Sequence, residues 1–231
     1  MTSPIILALD TNDLDTARRW VSLTNGSIGV YKLGLEFFLK FGREGVAKVK
    51  SETDCQIFLD LKLHDIPNTV GAAAAQVASL NTKFLTVHAS GGAEMVNAAV
   101  LNAPNTEITA VTILTSLSQN DMGEIGLEGT PELRAIALAK LAVGAGAKAI
   151  VCSPLEISGI RQAIPSNITI ITPGIRPKGS KESSAKDDQK RTMDPKGALN
   201  SGANFLVIGR PITGDADVAI AARKILEEAL S

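Results

Sequence analysis

Asp60, Lys62 and Asp65 fall within the run Phe58-Leu59-Asp60-Leu61-Lys62-Leu63-His64-Asp65-Ile66-Pro67-Asn68-Thr69, three charges of alternating sign set into apolar sequence. An unpaired ion in a protein interior costs roughly several kcal/mol, so these groups must pair with one another, with a partner elsewhere, or with a ligand. If residues 57–62 form a strand, its period of two puts Phe58, Asp60 and Lys62 on one face and Ile57, Leu59 and Leu61 on the other. One face of such a strand is then apolar and the other reactive, and an ammonium flanked by carboxylates keeps its proton.

Other polar residues end apolar runs in the same way. Lys32 stands in Tyr31-Lys32-Leu33 among apolar neighbours and can reach a carboxylate pair on the next strand. Asp10 closes the first apolar run, where it serves either the site or the cap of the first helix, and Thr115-Ser116 follow the fifth. A second cluster suits an anion. Thr172-Pro173-Gly174-Ile175-Arg176 and Gly209-Arg210-Pro211 end the last two strands. In barrels those loops, with a helix N-terminus, commonly bind phosphate. Arg176 and Arg210 supply forked hydrogen bonds there, and Gly209 admits the anion close to the backbone. Between the two arginines, residues 177–192 form a long polar segment expected to act as a lid, with Gln189 as its ligand contact. His64 and His88 are expected to be structural, and Cys55 and Cys152 to be buried thiols outside any metal-ligand spacing.

Strands are expected at 4–10, 28–33, 56–62, 83–89, 107–114, 148–152, 168–172 and 204–208. Helices are expected from Asn12 or Asp13 to 23, and at 36–51, 66–79, 93–102, 131–143, from Ser153-Pro154, and at 195–200 and 216–230. Residues 116–129 read as a polar connection. Eight strands each followed by a helix, several of them apolar on both faces, predict one (β/α)8 TIM barrel over residues 1–231. An open doubly wound sheet is the rival, but no Gly-x-Gly-x-x-Gly follows the first strand, and the polar residues gather at strand C-termini.

The chain has 231 residues, a formal net charge of −1 and 3% aromatic residues, which argues against nucleic acid as a partner. No apolar run approaches bilayer-spanning length and no secretory leader pattern opens the chain, so a reducing cytoplasm is expected.

Taken together, Ala8-Leu9-Asp10, Tyr31-Lys32-Leu33-Gly34, Asp60-Leu61-Lys62-Leu63-His64-Asp65-Ile66-Pro67-Asn68-Thr69-Val70, Thr115-Ser116, Pro173-Gly174-Ile175-Arg176-Pro177 and Ile208-Gly209-Arg210-Pro211-Ile212 closely resemble the motifs of the orotidine 5'-phosphate decarboxylase family in its bacterial form, in the same order. The resemblance runs the length of the chain. It implies decarboxylation of orotidine 5'-phosphate to UMP without metal or cofactor, in a homodimer with shared active sites. It further implies a catalytic tetrad of Lys32, Asp60, Lys62 and Asp65, with Asp65 and Thr69 reaching into the partner's site. Asp10 and Lys32 would contact the ribose, and Thr115 and Ser116 the pyrimidine. Arg176, Gln189, Gly209 and Arg210 would serve the phosphate, and Ile66 and Pro173 would line the ligand. The segment Ser-Lys-Glu-Ser-Ser-Ala-Lys-Asp-Asp before Gln189 is longer than that resemblance implies. Two rivals remain: a Mg²⁺-dependent sugar-phosphate decarboxylase or aldolase sharing the Asp-x-Lys-x-x-Asp core, and a catalytically silent nucleotide-binding protein.

Overall fold

The structure is a computed structural model that describes residues 3–178 and 191–231. Strands β1 (Ile5–Ala8), β2 (Val30–Gly34), β3 (Gln56–Leu63), β4 (Phe84–His88), β5 (Glu107–Val111), β6 (Ala149–Val151), β7 (Thr169–Thr172) and β8 (Phe205–Ile208) pair in parallel and in chain order. The pairing of β8 with β1 closes the barrel. Helices α1 (Leu14–Thr24), α2 (Leu35–Lys50), α3 (Pro67–Ala78), α4 (Ala93–Asn102), α5 (Gln119–Glu124), α6 (Pro131–Gly144), α7 (Ile157–Ala163), α8 (Pro195–Asn200), α9 (Arg210–Thr213) and α10 (Val218–Leu230) fill the connections. This is the expected (β/α)8 TIM barrel.

The strands are apolar on both faces because each face meets a different core. Ile6, Val30, Phe58, Phe84, Ala149 and Ile171 point into the barrel and are buried there. The Phe84 ring meets Phe58 and Phe205 nearly edge-on, with centroids 5.5 and 5.9 Å apart. Leu7, Tyr31, Leu33, Leu59 and Leu85 point outward under the helices. Each such side chain contributes roughly 1.5–3 kcal/mol on burial.

Local chemistry sets the helix ends. The carboxylate of Asp13 accepts the Thr16 N–H at 2.7 Å and caps α1, so Asp10 is not the cap. Ser118 and Asp121 form a reciprocal capping box that starts α5, inside the stretch expected to be irregular. Six residues are too few to display a helical hydrophobic period, which is why this helix was not legible. The four-residue α9 after β8 was likewise unforeseen. Cys152 is buried as expected, whereas Cys55 is only partly buried and donates to the Ile28 carbonyl at 3.3 Å. Among the described residues no helix is long and apolar enough to cross a membrane.

Candidate active site

The strict alternation expected along β3 fails at Lys62. Its φ is +48°, in the left-handed region where a side chain costs about 1–2 kcal/mol. The β3/β4 register shifts between Leu59 and Leu63 as a result. At the bulge the Lys62 N–H donates to the Thr86 hydroxyl at 2.8 Å, and that hydroxyl donates to Asp60 Oδ1 at 3.0 Å. The irregularity therefore carries Lys62 at a stated place beside Asp60.

Lys62 Nζ lies 2.8 Å from Asp60 Oδ1, while Lys32 Nζ lies 3.4 Å from Asp60 Oδ2 and 3.1 Å from Asp10 Oδ1. The series Asp10, Lys32, Asp60, Lys62 alternates in sign across three adjacent strands. The middle of the series is buried and both of its ends are open: the side chains of Lys32 and Asp60 are 10% and 13% exposed, against 64% for Asp10 and 32% for Lys62. The inner pair is held in place by its neighbours, and Lys62 is the more exposed of the two lysines that line the cavity.

The electrostatics agree. Burial alone would raise the Asp60 pKa, but the charges of Lys32 and Lys62, with hydrogen bonds from Lys62 and Thr86, hold it below the usual carboxylate range. Burial would likewise lower Lys32, but Asp60 and Asp10 outweigh it and the pKa is raised. The pairing thus keeps both groups ionised.

A cavity of about 360 Å³ opens at the C-terminal mouth of the barrel over this series. Phe58, Val111, Val151 and Val207 form its apolar floor, and Thr115 and Ser116 line one side. Pro173, Gly174 and Arg176 line the side after β7, and Gly209 and Arg210 the side after β8. Gly174, at φ +76°, takes a conformation that suits glycine and turns the chain back toward Arg176. A small-molecule pocket of this kind, apolar below and polar at its rim, fits a heteroaromatic group carrying an anionic tail.

The chain matches the model of the "Orotidine 5'-phosphate decarboxylase / HUMPS family" over residues 3–225. It is 47% identical over 228 residues to the orotidine 5'-phosphate decarboxylase of Thermobifida fusca, covering 99% of this chain and 96% of that protein. The same-named protein of a Wolbachia from Culex pipiens is 43% identical over 227 residues, with 97% and 98% covered. The crystal structure of orotidine 5'-phosphate decarboxylase from Lactobacillus acidophilus superposes with a TM-score of 0.84 at 32% identity, over 99% of this chain and all of that one. The chain belongs to the orotidine 5'-phosphate decarboxylase family.

Of the site residues expected from sequence, Asp10, Lys32, Asp60, Lys62, Thr115, Ser116, Pro173, Arg176, Gly209 and Arg210 all line the one cavity. Asp65, Ile66 and Thr69 do not line it and are exposed. The Asp65 carboxylate instead accepts the Ile66 N–H at 2.6 Å. Gln189 and most of the expected lid lie outside the described residues. His64 and His88 stack with centroids 5.2 Å apart, outside the cavity lining. Burial, His64 and Lys62 together lower the His88 pKa, against the smaller opposite effect of Asp60.

Two features escaped the sequence. Thr86 carried a faint signal, a hydroxyl in the middle of the apolar strand Phe84-Leu85-Thr86-Val87-His88, on the inward face. Arg191 carried none. It forms an ion pair with Glu156 and donates to the Leu114 carbonyl at 3.3 Å, at the edge of the cavity. Among the described residues no group of three His, Cys, Asp or Glu side chains is arranged to hold a metal ion.

Proposed function

We infer that this chain decarboxylates orotidine 5'-phosphate to uridine 5'-phosphate and CO2, the last step of de novo UMP synthesis, acting as a carboxy-lyase. Family membership supports the reaction. The observation that carries the assignment of roles is Lys62 held 2.8 Å from Asp60, beside the buried pair Asp60 and Lys32.

Loss of CO2 from C6 of the pyrimidine leaves an electron pair in the ring plane, where the π system cannot delocalise it. The site must stabilise that charge electrostatically. Lys62, oriented by Asp60 and by its own constrained backbone, supplies a fixed ammonium for C6 and then transfers a proton to it. Lys32 and Asp60 hold the geometry and Asp10 and Lys32 take the ribose hydroxyls. Thr115 and Ser116 take the pyrimidine edge, with Pro173 beside it. Arg176, Gly209 and Arg210 take the phosphate, joined by Gln189. These steps use the chain's own side chains and the backbone at Gly209, with no cofactor or metal.

The active unit in this reading is a homodimer with shared sites. Asp65 and Thr69 are exposed outside their own cavity, and Ile66 beside them is 65% exposed, as suits residues that a second copy covers. Asp65 then faces the departing carboxylate of the partner's substrate. Two free thiols, neither in a disulfide, accord with a cytoplasmic location.

The test is incubation of purified protein with orotidine 5'-phosphate in excess chelator, following the loss of orotate absorbance. Conversion to UMP at an undiminished rate is expected. Turnover that requires added Mg²⁺, or none with this substrate, would instead point to the sugar-phosphate chemistry also found on this scaffold.

A further inference from the structure

We propose that Arg191 is a positioning residue that couples the pyrimidine end of the site to its phosphate end. This rests on the assignment of those ends given above. The Arg191 guanidinium pairs with Glu156, whose side chain is 1% exposed. Glu156 is itself fixed, because its other oxygen accepts the Ser153 N–H at 3.1 Å in the capping box that follows β6. A second arm of Arg191 donates to the carbonyl of Leu114 at 3.3 Å. Leu114, Thr115 and Ser116 are consecutive and line the pyrimidine side of the cavity.

Two residues further along, Met193 exchanges backbone bonds with the loop after β7. Its N–H donates to the Gly174 carbonyl at 3.2 Å, and its carbonyl accepts the Arg176 N–H at 2.9 Å. These make an isolated parallel bridge between Ile175 and Met193. A single, largely buried guanidinium thus joins the segments that follow β5 and β6, two residues from the backbone that holds Arg176. Through it the segments meant for the two ends of the nucleotide are tied to one another.

Stability alone is a poor reason for this arrangement. A buried ion pair is often no better for folding than an apolar pair of the same volume. Here Arg191 Nε is also buried without a hydrogen-bond partner among the described residues. What the pair offers that an apolar contact does not is direction: a planar fork with set bonds to a carboxylate and a carbonyl.

The experiment measures competitive inhibition constants for UMP and for uridine, which differ only in the phosphate, in the wild type and in Arg191→Met, Arg191→Lys, Glu156→Gln and Arg176→Ala. The expected result is that Arg191→Met reduces the UMP-over-uridine preference by at least tenfold, with uridine itself changing less than threefold. Glu156→Gln should reduce it similarly, and Arg191→Lys should recover part of it. A merely structural role predicts equal losses for both ligands and an unchanged preference, which overturns the proposal. If Arg191→Met does not fold, Glu156→Gln decides by the same criterion. Arg176→Ala separates the two levels of inference. If it lowers the preference while the Arg191 and Glu156 variants do not, only the coupling fails. If it too leaves the preference unchanged, the phosphate assignment fails and the coupling with it.

Discussion

The hydroxyl of Thr86 takes the backbone N–H of Lys62 at 2.8 Å, and this one bond joins a strained position to the fixed support of the site. Thr86 is fully buried, and its own proton goes to Asp60 Oδ1 at 3.0 Å. The left-handed backbone at Lys62 is thereby offset by a bond that the regular β3/β4 ladder would not make. The Lys62 ammonium and the carboxylate that orients it share one anchor.

Thr86→Val keeps the shape and removes both bonds. It leaves the Lys62 N–H unsatisfied, a loss of about 1–3 kcal/mol that chemical denaturation would register. With the ammonium no longer aimed, kcat should fall roughly tenfold or more, since each 1.36 kcal/mol is about tenfold in rate. Thr86→Ser should behave nearly as wild type. Equal kcat in Thr86→Val and wild type would remove Thr86 from the positioning of Lys62.

Lys62→Ala deletes both charge stabilisation, worth roughly 10²–10³-fold, and proton delivery, worth roughly 10²–10⁴-fold. Turnover should drop by about 10⁴-fold or more, while UMP binding, followed by calorimetry, stays measurable because the arginines are untouched. Substantial residual turnover would take the proton-donor role away from Lys62.

Asp60 and Lys32 carry opposite pKa shifts, and the signs set a pH window. Asp60 is held low, so its contribution to stability is complete above the unfolded carboxylate value near 3.9 and is lost as pH falls through the folded value. Lys32 is held high, so its contribution is complete below about 10.4 and is lost as pH rises through the folded value. Asp60→Asn leaves buried Lys32 without its inner partner and should cost about 3–5 kcal/mol across the neutral range. Urea titrations should show that deficit constant between about pH 5 and 9 and shrinking below about pH 4. A deficit that grows on acidification would contradict an ionised Asp60.

Asp65 yields a prediction about assembly. Lys62→Ala and Asp65→Asn should each be nearly inactive alone. Subunits unfolded together and refolded as a mixture should regain up to about a quarter of wild-type activity, because half the dimers are mixed and each mixed dimer has one intact shared site. No recovery, despite mixed dimers being present by mass spectrometry, would place Asp65 in its own chain's site.

Much of the site was legible because charge inside apolar sequence is informative. Asp60, Lys62, Lys32 and Asp10 announced themselves by ending or interrupting strands, and a parallel barrel gathers strand ends at one mouth. Arg176 and Arg210 were legible for the same reason. Less legible were features that spend ordinary residues: a threonine in a strand, a six-residue helix, and an arginine in a polar run.

The amino-acid sequence by itself determined the strand and helix order, the closed barrel and the residues facing its mouth, because period and composition are local properties. The tertiary structure decided what depends on closure. The bulge at Lys62 exists only against Thr86, 24 residues away, and Arg191 meets Glu156 across 35 residues. It also decided that Asp65, three residues beyond Lys62, leaves its own cavity. A left-handed residue and a register shift turn the chain there, and neither can be counted from a period of two.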